Sequence, residues 1–252
     1  MGYNPKKKVI ITSYLTDKIK EGDINMENQI AKPMLNGKCN ICKGVFTKKE
    51  MTRHLRSCGK NRDNLKTDTQ KLQKTKKLHI LVEGKYQSDY WLHLKAFSSA
   101  TLEDIDAFLR DIWLECCGHL SMFTIEGKTY SSSPMEEYED RSMNIKLDMV
   151  LRPGLKFRHE YDFGSTTHLL LKVISEEESE IKDKPIQILA RNESPLISCS
   201  NCGKAAVKVC ASCSWSGEGW LCKDCANSHK CGEDMLLPVV NSPRVGVCGY
   251  TG

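Results

Sequence analysis

The residues in this chain best suited to chemistry are its cysteines. There are 13 among 252 residues, and most stand in Cys-x-x-Cys pairs or near a histidine. Thiolate and imidazole at such spacings are the ligands that a tetrahedral zinc ion takes. The first group is Cys39 and Cys42, followed after 11 residues by His54, and then by Cys58. The Cys-x-x-Cys pair supplies two ligands from one tight turn. His54 and Cys58 are four apart, so a helix puts both on one face. Phe46 and Met51 stand where a ββα finger keeps its small core. Residues 38–60 therefore read as a CCHC-type zinc finger, one residue shorter than usual. Its few apolar side chains cannot fold it alone, so zinc would supply the folding energy.

The second group fills residues 192–235. Cys199, Cys202, Cys210, Cys213, Cys222, Cys225, His229 and Cys231 offer eight ligands in four pairs, enough for two ions. An interleaved cross-brace would put Cys199, Cys202, Cys222 and Cys225 on one ion. Cys210, Cys213, His229 and Cys231 would then take the other. The arrangement resembles B-box and MYND-type modules. Its closing His-x-Cys is tighter than in those patterns, so Cys248 is an alternative to His229 or Cys231. With the finger, this makes three zinc ions. Cys116, Cys117 and His119 also cluster in sequence. Adjacent cysteines rarely serve one ion and cysteine is commonly buried, so core packing is the expectation there.

Residues 78–191 must form the body between these modules, organised around Leu155 to Ile174. Leu155, Phe157, His159 and Tyr161 alternate with Lys156, Arg158, Glu160 and Asp162, the pattern of a half-buried strand. Asp162-Phe163-Gly164-Ser165 reads as the turn, and Thr166 to Ile174 as a more central return strand. His159, Asp162 and His168 are expected on the hairpin surface. The Asp-Phe-Gly tripeptide has no kinase context around it. Leu78–Glu83 and Tyr90–Phe97 read as strands. Thr101 to Asp104 resembles a capping box, and apolar residues then recur at helical spacing from Leu102 to Cys116. Leu120–Glu126 reads as a strand, 128–140 as a polar loop, 176–180 as an acidic loop and Pro185–Arg191 as a last strand. Residues 1–37 read as a flexible leader, 61–77 as a basic linker and 236–252 as an extended tail.

Charge is unevenly spread. Residues 1–77 hold 19 Lys and Arg against 7 Asp and Glu, and the remainder 18 against 25. A basic arm on an acidic body suits a polyanionic partner. Lys48, Lys49, Arg53 and Arg56 would lie along the outside of the finger helix and could meet phosphates. Docking of the finger on the body or on another protein accounts for it equally well. No run is apolar enough for export or for a membrane span. The expectation is a cytoplasmic protein with no membrane partner, whose paired cysteines bind metal and form no disulfides.

The stretch Trp113-Leu-Glu-Cys-Cys-Gly-His-Leu120 with Phe123, followed by Tyr161-Asp-Phe-Gly-Ser165, resembles the plasmid pRiA4b ORF-three-like family. Its members are also labelled passenger "TnpR-family" proteins of insertion elements. The match is to a subset with an N-terminal finger and a C-terminal cysteine module, and covers most of residues 38–252. The resemblance implies an α+β core with a curled antiparallel sheet packed by one main helix, here flanked by two small zinc modules. It brings no catalytic residues. Many relatives continue the turn with Asp, Trp and His, where this chain has Ser165, Thr166 and Thr167.

The function these features point to is a non-catalytic zinc-binding protein. It would be a nucleic-acid-associated factor linked to mobile elements, reaching nucleic acid through residues 38–77. The alternative is a protein–protein adaptor working through residues 192–235. Catalysis ranks below both, because complete four-ligand sets are the structural type of zinc site.

Overall fold

Alternation and charge together build the sheet. The computed structural model describes residues 35–58, 74–180 and 184–252. The expected leader up to residue 34, and 61–73 of the expected linker, lie outside the described residues. Ten strands are β1 Asn36–Cys39, β2 Val45–Thr47, β3 Lys74–Gly84, β4 Trp91–Phe97, β5 Ser121–Ile125, β6 Lys128–Ser131, β7 Arg141–Ser142, β8 Lys156–Tyr161, β9 Thr167–Glu180 and β10 Ile186–Asn192. They form one sheet in the order β2-β1-β10-β4-β3-β9-β8-β5-β6-β7. Every pairing is antiparallel except β6 with β7. Helices are few, so the chain is a mixed α and β protein with a large sheet.

The central hairpin is β8 and β9, with Tyr161 opposite Thr167 across the turn. Phe157, His159 and Tyr161 point into the core, as their alternation requires. β9 lies between β3 and β8, the central place that its apolar run demands. Two expected loops are strands instead. Residues 176–180 extend β9, because β3 sets Lys76 and Lys77 opposite Glu178 and Glu177. Lys76 Nζ also lies 2.6 Å from Glu176 Oε1. Opposite charges on facing strands let a highly charged segment join the sheet. The expected polar loop 128–140 contributes β6, which buries Tyr130 beside β5.

Helix α1 spans Lys48–His54 and α2 spans Leu102–Leu109, running on into a wider π-type turn, Arg110–Leu114. The Thr101 hydroxyl accepts from the Asp104 N–H, and the Asp104 carboxylate accepts from the Thr101 N–H. That reciprocal cap starts α2 where the sequence indicated. Leu102, Ile105, Leu109 and Trp113 then bury against Ile80, Leu94 and Leu171 of the sheet.

The other face of β3 and β4 carries Trp91, His79, His93 and Leu81. Here the finger docks. β1 pairs with β10, so the finger extends the main sheet, and Met51 and Leu55 of its helical segment pack with Trp91 and Ala190. Gly37 is needed at this join. A Cβ there would run into the Trp91 ring and the Arg191 carbonyl.

His79 and His93 meet beneath α1. His79 Nε2 lies 2.8 Å from His93 Nδ1, and Thr52 Oγ1 stands 3.4 Å from His93 Nε2. Burial pushes the His79 imidazole down to about 4 and the His93 imidazole down to about 3. The unfolded chain protonates both near 6.5. It therefore binds more protons than the folded state in acid. Stability is complete above about 6.5 and is lost as pH falls toward the folded values. We expect roughly 3 kcal/mol of destabilisation at pH 5.5 from the pair. Urea midpoints measured between pH 7.5 and 5.5 should fall accordingly. A His79→Gln/His93→Gln variant, though less stable, should show a flatter acid limb. An unchanged slope would assign the acid sensitivity to other groups.

Candidate metal centres

Among the described residues, four Cys/His groups could hold metal ions. They are Cys39, Cys42, His54 and Cys58; Cys199, Cys202, Cys222 and Cys225; Cys210, Cys213, His229 and Cys231; and Cys116, Cys117, His119 and Cys248. Within each group all the ligand atoms lie within 4.8 Å of one another.

The finger group is positioned by local sequence. A tight turn after β1 presents Cys39 and Cys42, with Lys43 at φ 65°. Thr47 and Glu50 form a reciprocal cap that starts α1. The helix then carries His54, which stacks on Phe46 at 4.2 Å between ring centroids. Cys39 and Cys58 sulfurs are 3.9 Å apart, and Cys42 Sγ is 3.3 Å from His54 Nε2.

The C-terminal module is laid out by a three-stranded sheet of β11 Lys208–Cys210, β12 Trp220–Leu221 and β13 Leu236–Pro238, in the order β12-β11-β13. Helix α4, Lys223–Asn227, follows Cys222 directly and carries Cys225 (α3 is the short Leu147–Val150 helix). Lys208 lies opposite Leu221 in β12, so the strand ending in Cys210 runs beside the one leading to Cys222. The two ligand sets therefore interleave along the chain, in the pairing expected of a cross-brace. Cys202 Sγ is 3.6 Å from Cys222 Sγ, Cys213 Sγ 3.8 Å from Cys231 Sγ, and Cys213 Sγ 3.5 Å from His229 Nε2.

These separations can be tested against a bound ion. Sulfurs arranged tetrahedrally at about 2.3 Å from a centre lie about 3.8 Å apart. A disulfide would need about 2.05 Å. The sulfurs are thus spaced for an ion between them. The thiols are also unequal. A hydrogen bond from the Cys222 backbone draws Cys199 down to about 6, while hydrogen bonding to the Cys222 and Cys202 sulfurs pushes Cys225 up to about 12. Hydrogen bonding to Cys210 and Cys231 likewise pushes Cys213 up to about 11. Crowded thiols ionise one at a time. A divalent cation lets the rest ionise and releases their protons.

The fourth group corrects two expectations. Cys116 does pack partly against the core, but Cys117 is exposed. Its sulfur lies 3.0 Å from His119 Nε2 and 3.8 Å from Cys248 Sγ. Cys248 joins this group, 3.2 Å from His119 Nε2, and His229 and Cys231 keep their places in the module. Cys248 was out of reach of spacing arguments, because 128 residues and the whole hairpin separate it from His119.

The expected extended tail is also corrected. Residues 242–250 turn repeatedly and bury Ser242, Arg244, Val245 and Tyr250. The Ser242 hydroxyl donates to the Trp113 carbonyl, and the Trp113 indole donates to the Asn241 carbonyl. Arg244 crosses the core boundary to donate to Asp162 Oδ2 at 2.7 Å.

That contact overturns the surface reading of the hairpin residues. Asp162 is buried and also accepts from the Gly164 and Ser165 N–H groups. Burial opposes its charge, yet these bonds hold its carboxyl below the usual range. His159 is buried with Nε2 2.6 Å from Asp106 Oδ1. His168 is half-buried, 3.0 Å from Glu160.

Lys48 is engaged with Glu83 at 2.7 Å. Lys49, Arg53 and Arg56 are exposed. No helix among the described residues is long and apolar enough to cross a membrane.

Comparison with known proteins adds little. No family model matches the chain, and no curated protein matches it. Among solved structures, a protein of unknown function from Methanosarcina mazei Go1 is similar over 46% of this chain and 69% of that one, at 14% identity and a TM-score of 0.41. That likeness is too slight to carry a fold or a function across.

Proposed function

We propose that this chain is a zinc-binding protein whose finger and C-terminal sites are structural, and that it binds a polyanion, nucleic acid foremost, through the outer face of α1. The donor sets support zinc. Two Cys₃His groups and one Cys₄ group, spaced for a tetrahedron, suit a soft-ligand divalent ion. Four protein ligands leave no coordination position for substrate, which favours binding over catalysis. The observation that carries the polyanion reading is the orientation of the finger. Its inner face is spent on Trp91, His93 and Glu83, while Lys49, Arg53 and Arg56 project outward. Residues 35–58 hold six basic side chains against one acidic. The resemblance to the pRiA4b ORF-three-like family adds an association with mobile elements to the same reading.

A finger fixed to a sheet cannot follow a DNA groove as tandem fingers do, so we expect contact with the backbone and little sequence preference. Intact protein should bind mixed duplex DNA or RNA with an affinity that falls steeply with salt. Lys49→Glu/Arg53→Glu/Arg56→Glu should lose most of that binding and lower the salt slope by about 3 on duplex DNA. Absence of binding at low salt, or an unchanged triple variant, would refute the reading.

A second reading has its own observation. The C-terminal module exposes Leu196 (91%), Trp215 (78%) and Val207 (49%). Exposed large apolar residues, a Trp above all, are what a protein partner buries. If the polyanion reading fails, an adaptor working through this module leads.

A further inference from the structure

We propose that Cys116, Cys117, His119 and Cys248 hold a fourth zinc ion, which clamps the C-terminal tail onto the end of α2 and its π-type turn. The proposal rests on the zinc reading above and adds a site, a stoichiometry and a role.

Three observations carry it. The first is an accounting of the cysteines. All 13 fall into the four groups, with none left over. Three ions would leave three thiols, two of them exposed, gathered around one imidazole for no reason.

The second is geometry. Cys116 and Cys117 sulfurs are 3.7 Å apart, and Cys117 and Cys248 sulfurs 3.8 Å apart. These match the spacing in the other groups and the edge of a zinc–thiolate tetrahedron, about 3.8 Å. The backbone is bent to achieve it. Cys248 has φ 49°, and Gly246 and Gly249 have φ 78° and 69°. A cysteine seldom takes that left-handed conformation, and here it turns the sulfur back toward Cys117 and His119.

The third is charge. Arg244 is fully buried and donates both to Cys116 Sγ at 3.3 Å and to Asp162 Oδ2 at 2.7 Å. A divalent ion with three thiolates carries one net negative charge. The Arg244 guanidinium, shared between the Cys116 sulfur and the Asp162 carboxylate, offsets part of that negative charge. Arg244 belongs to the same tail as Cys248, so tail, ion and counter-charge would assemble together. The ion would add to what already holds the tail, which is the Arg244–Asp162 pair, the Ser242–Trp113 hydrogen bond and the burial of Val245 and Tyr250.

The test is a metal count on the intact, reduced protein by native mass spectrometry and elemental analysis, with hydrogen exchange across residues 241–250. The wild type should carry four zinc ions. Cys248→Ser and, separately, Cys117→Ser should each carry three, with faster exchange in the tail and unchanged exchange in the finger and in β11–β13. Both positions are exposed, so the variants should fold; Cys116→Ala, which also removes the Arg244 contact, should loosen the tail further. A wild type with three ions, the same three in the Cys248 variant, would overturn the proposal and leave the zinc reading standing. A Cys117–Cys248 disulfide in place of the ion, read from the intact mass of protein purified without reductant, would overturn it equally. A wild type with no zinc would sink both.

Discussion

Replacing Cys222 with serine is expected to remove one ion outright and weaken its neighbour, unravelling the C-terminal module while the large sheet survives. Cys222 is buried, and its thiol sits between Cys202 and the start of α4. β12 leads straight into it, and β12 is paired with β11, which ends in Cys210 of the other ligand set. Losing the first ion therefore frees the strand that positions the second. The module has little else to hold it. Its three strands are two or three residues each, and the apolar residues it adds to the main core include Val209 and Leu237. Structural zinc in small modules is worth roughly 10–16 kcal/mol of folding free energy, far beyond what those side chains supply. A metal count should fall by one to two ions, and amide protection should vanish over β11 to β13. Protection in β3, β4, β8 and β9 should persist, because Leu78, Ile80, Leu94, Phe157 and Leu171 form their own buried core. A variant with full metal content and unchanged protection would show that the cysteine has no ligand role.

Asp106→Ala is expected to be among the most damaging substitutions in the body of the protein that leave every cysteine intact. Asp106 is buried at the C-terminal half of α2. Its two oxygens serve two partners, His159 Nε2 at 2.6 Å and Arg110 Nε at 2.7 Å. Burial alone would raise its pKa, but hydrogen bonds from His159 and Arg110 outweigh it and hold the carboxyl below the usual range. Arg110 also reaches the His119 carbonyl, Ser121 Oγ and Glu115, and lies 4.7 Å over the Tyr161 ring, with Arg244 on the same ring at 4.8 Å. Truncation to alanine strands the buried His159, whose Nδ1 has no hydrogen-bond partner among the described residues, and removes a short charge-assisted bond of Arg110. Breaking a buried charge network from one side costs about 3–5 kcal/mol. Asp106→Asn keeps an acceptor and should cost less. Denaturant midpoints for the two variants would decide the matter. A loss below about 1 kcal/mol for the alanine variant would mean the network contributes little. The acid dependence follows the same logic. A depressed aspartate contributes stability above its ordinary pKa and loses it as pH falls through the folded value.

Where a property depends on neighbours in sequence, the chain alone was enough. The Cys-x-x-Cys spacings marked the ligand pairs of the finger and of the C-terminal module, because a tight turn and a helical four-residue step fix ligand positions locally. Period-2 alternation located β8 and the turn into β9, and the Thr101–Asp104 cap located the start of α2. Three things needed the tertiary structure. The acidic segment after Ser175 became a strand only because the lysines of β3 lie across from it. His79 and His93 became a buried neutral pair only because the finger packs on a sheet face that otherwise reads as half polar. Cys116, Cys117 and His119 gained a fourth member only when the tail folded back with Arg244 to bring in Cys248. Each depends on an encounter between segments far apart in the chain, whose closure entropy is met by burial and charge pairing, and no local pattern of residue types records such an encounter.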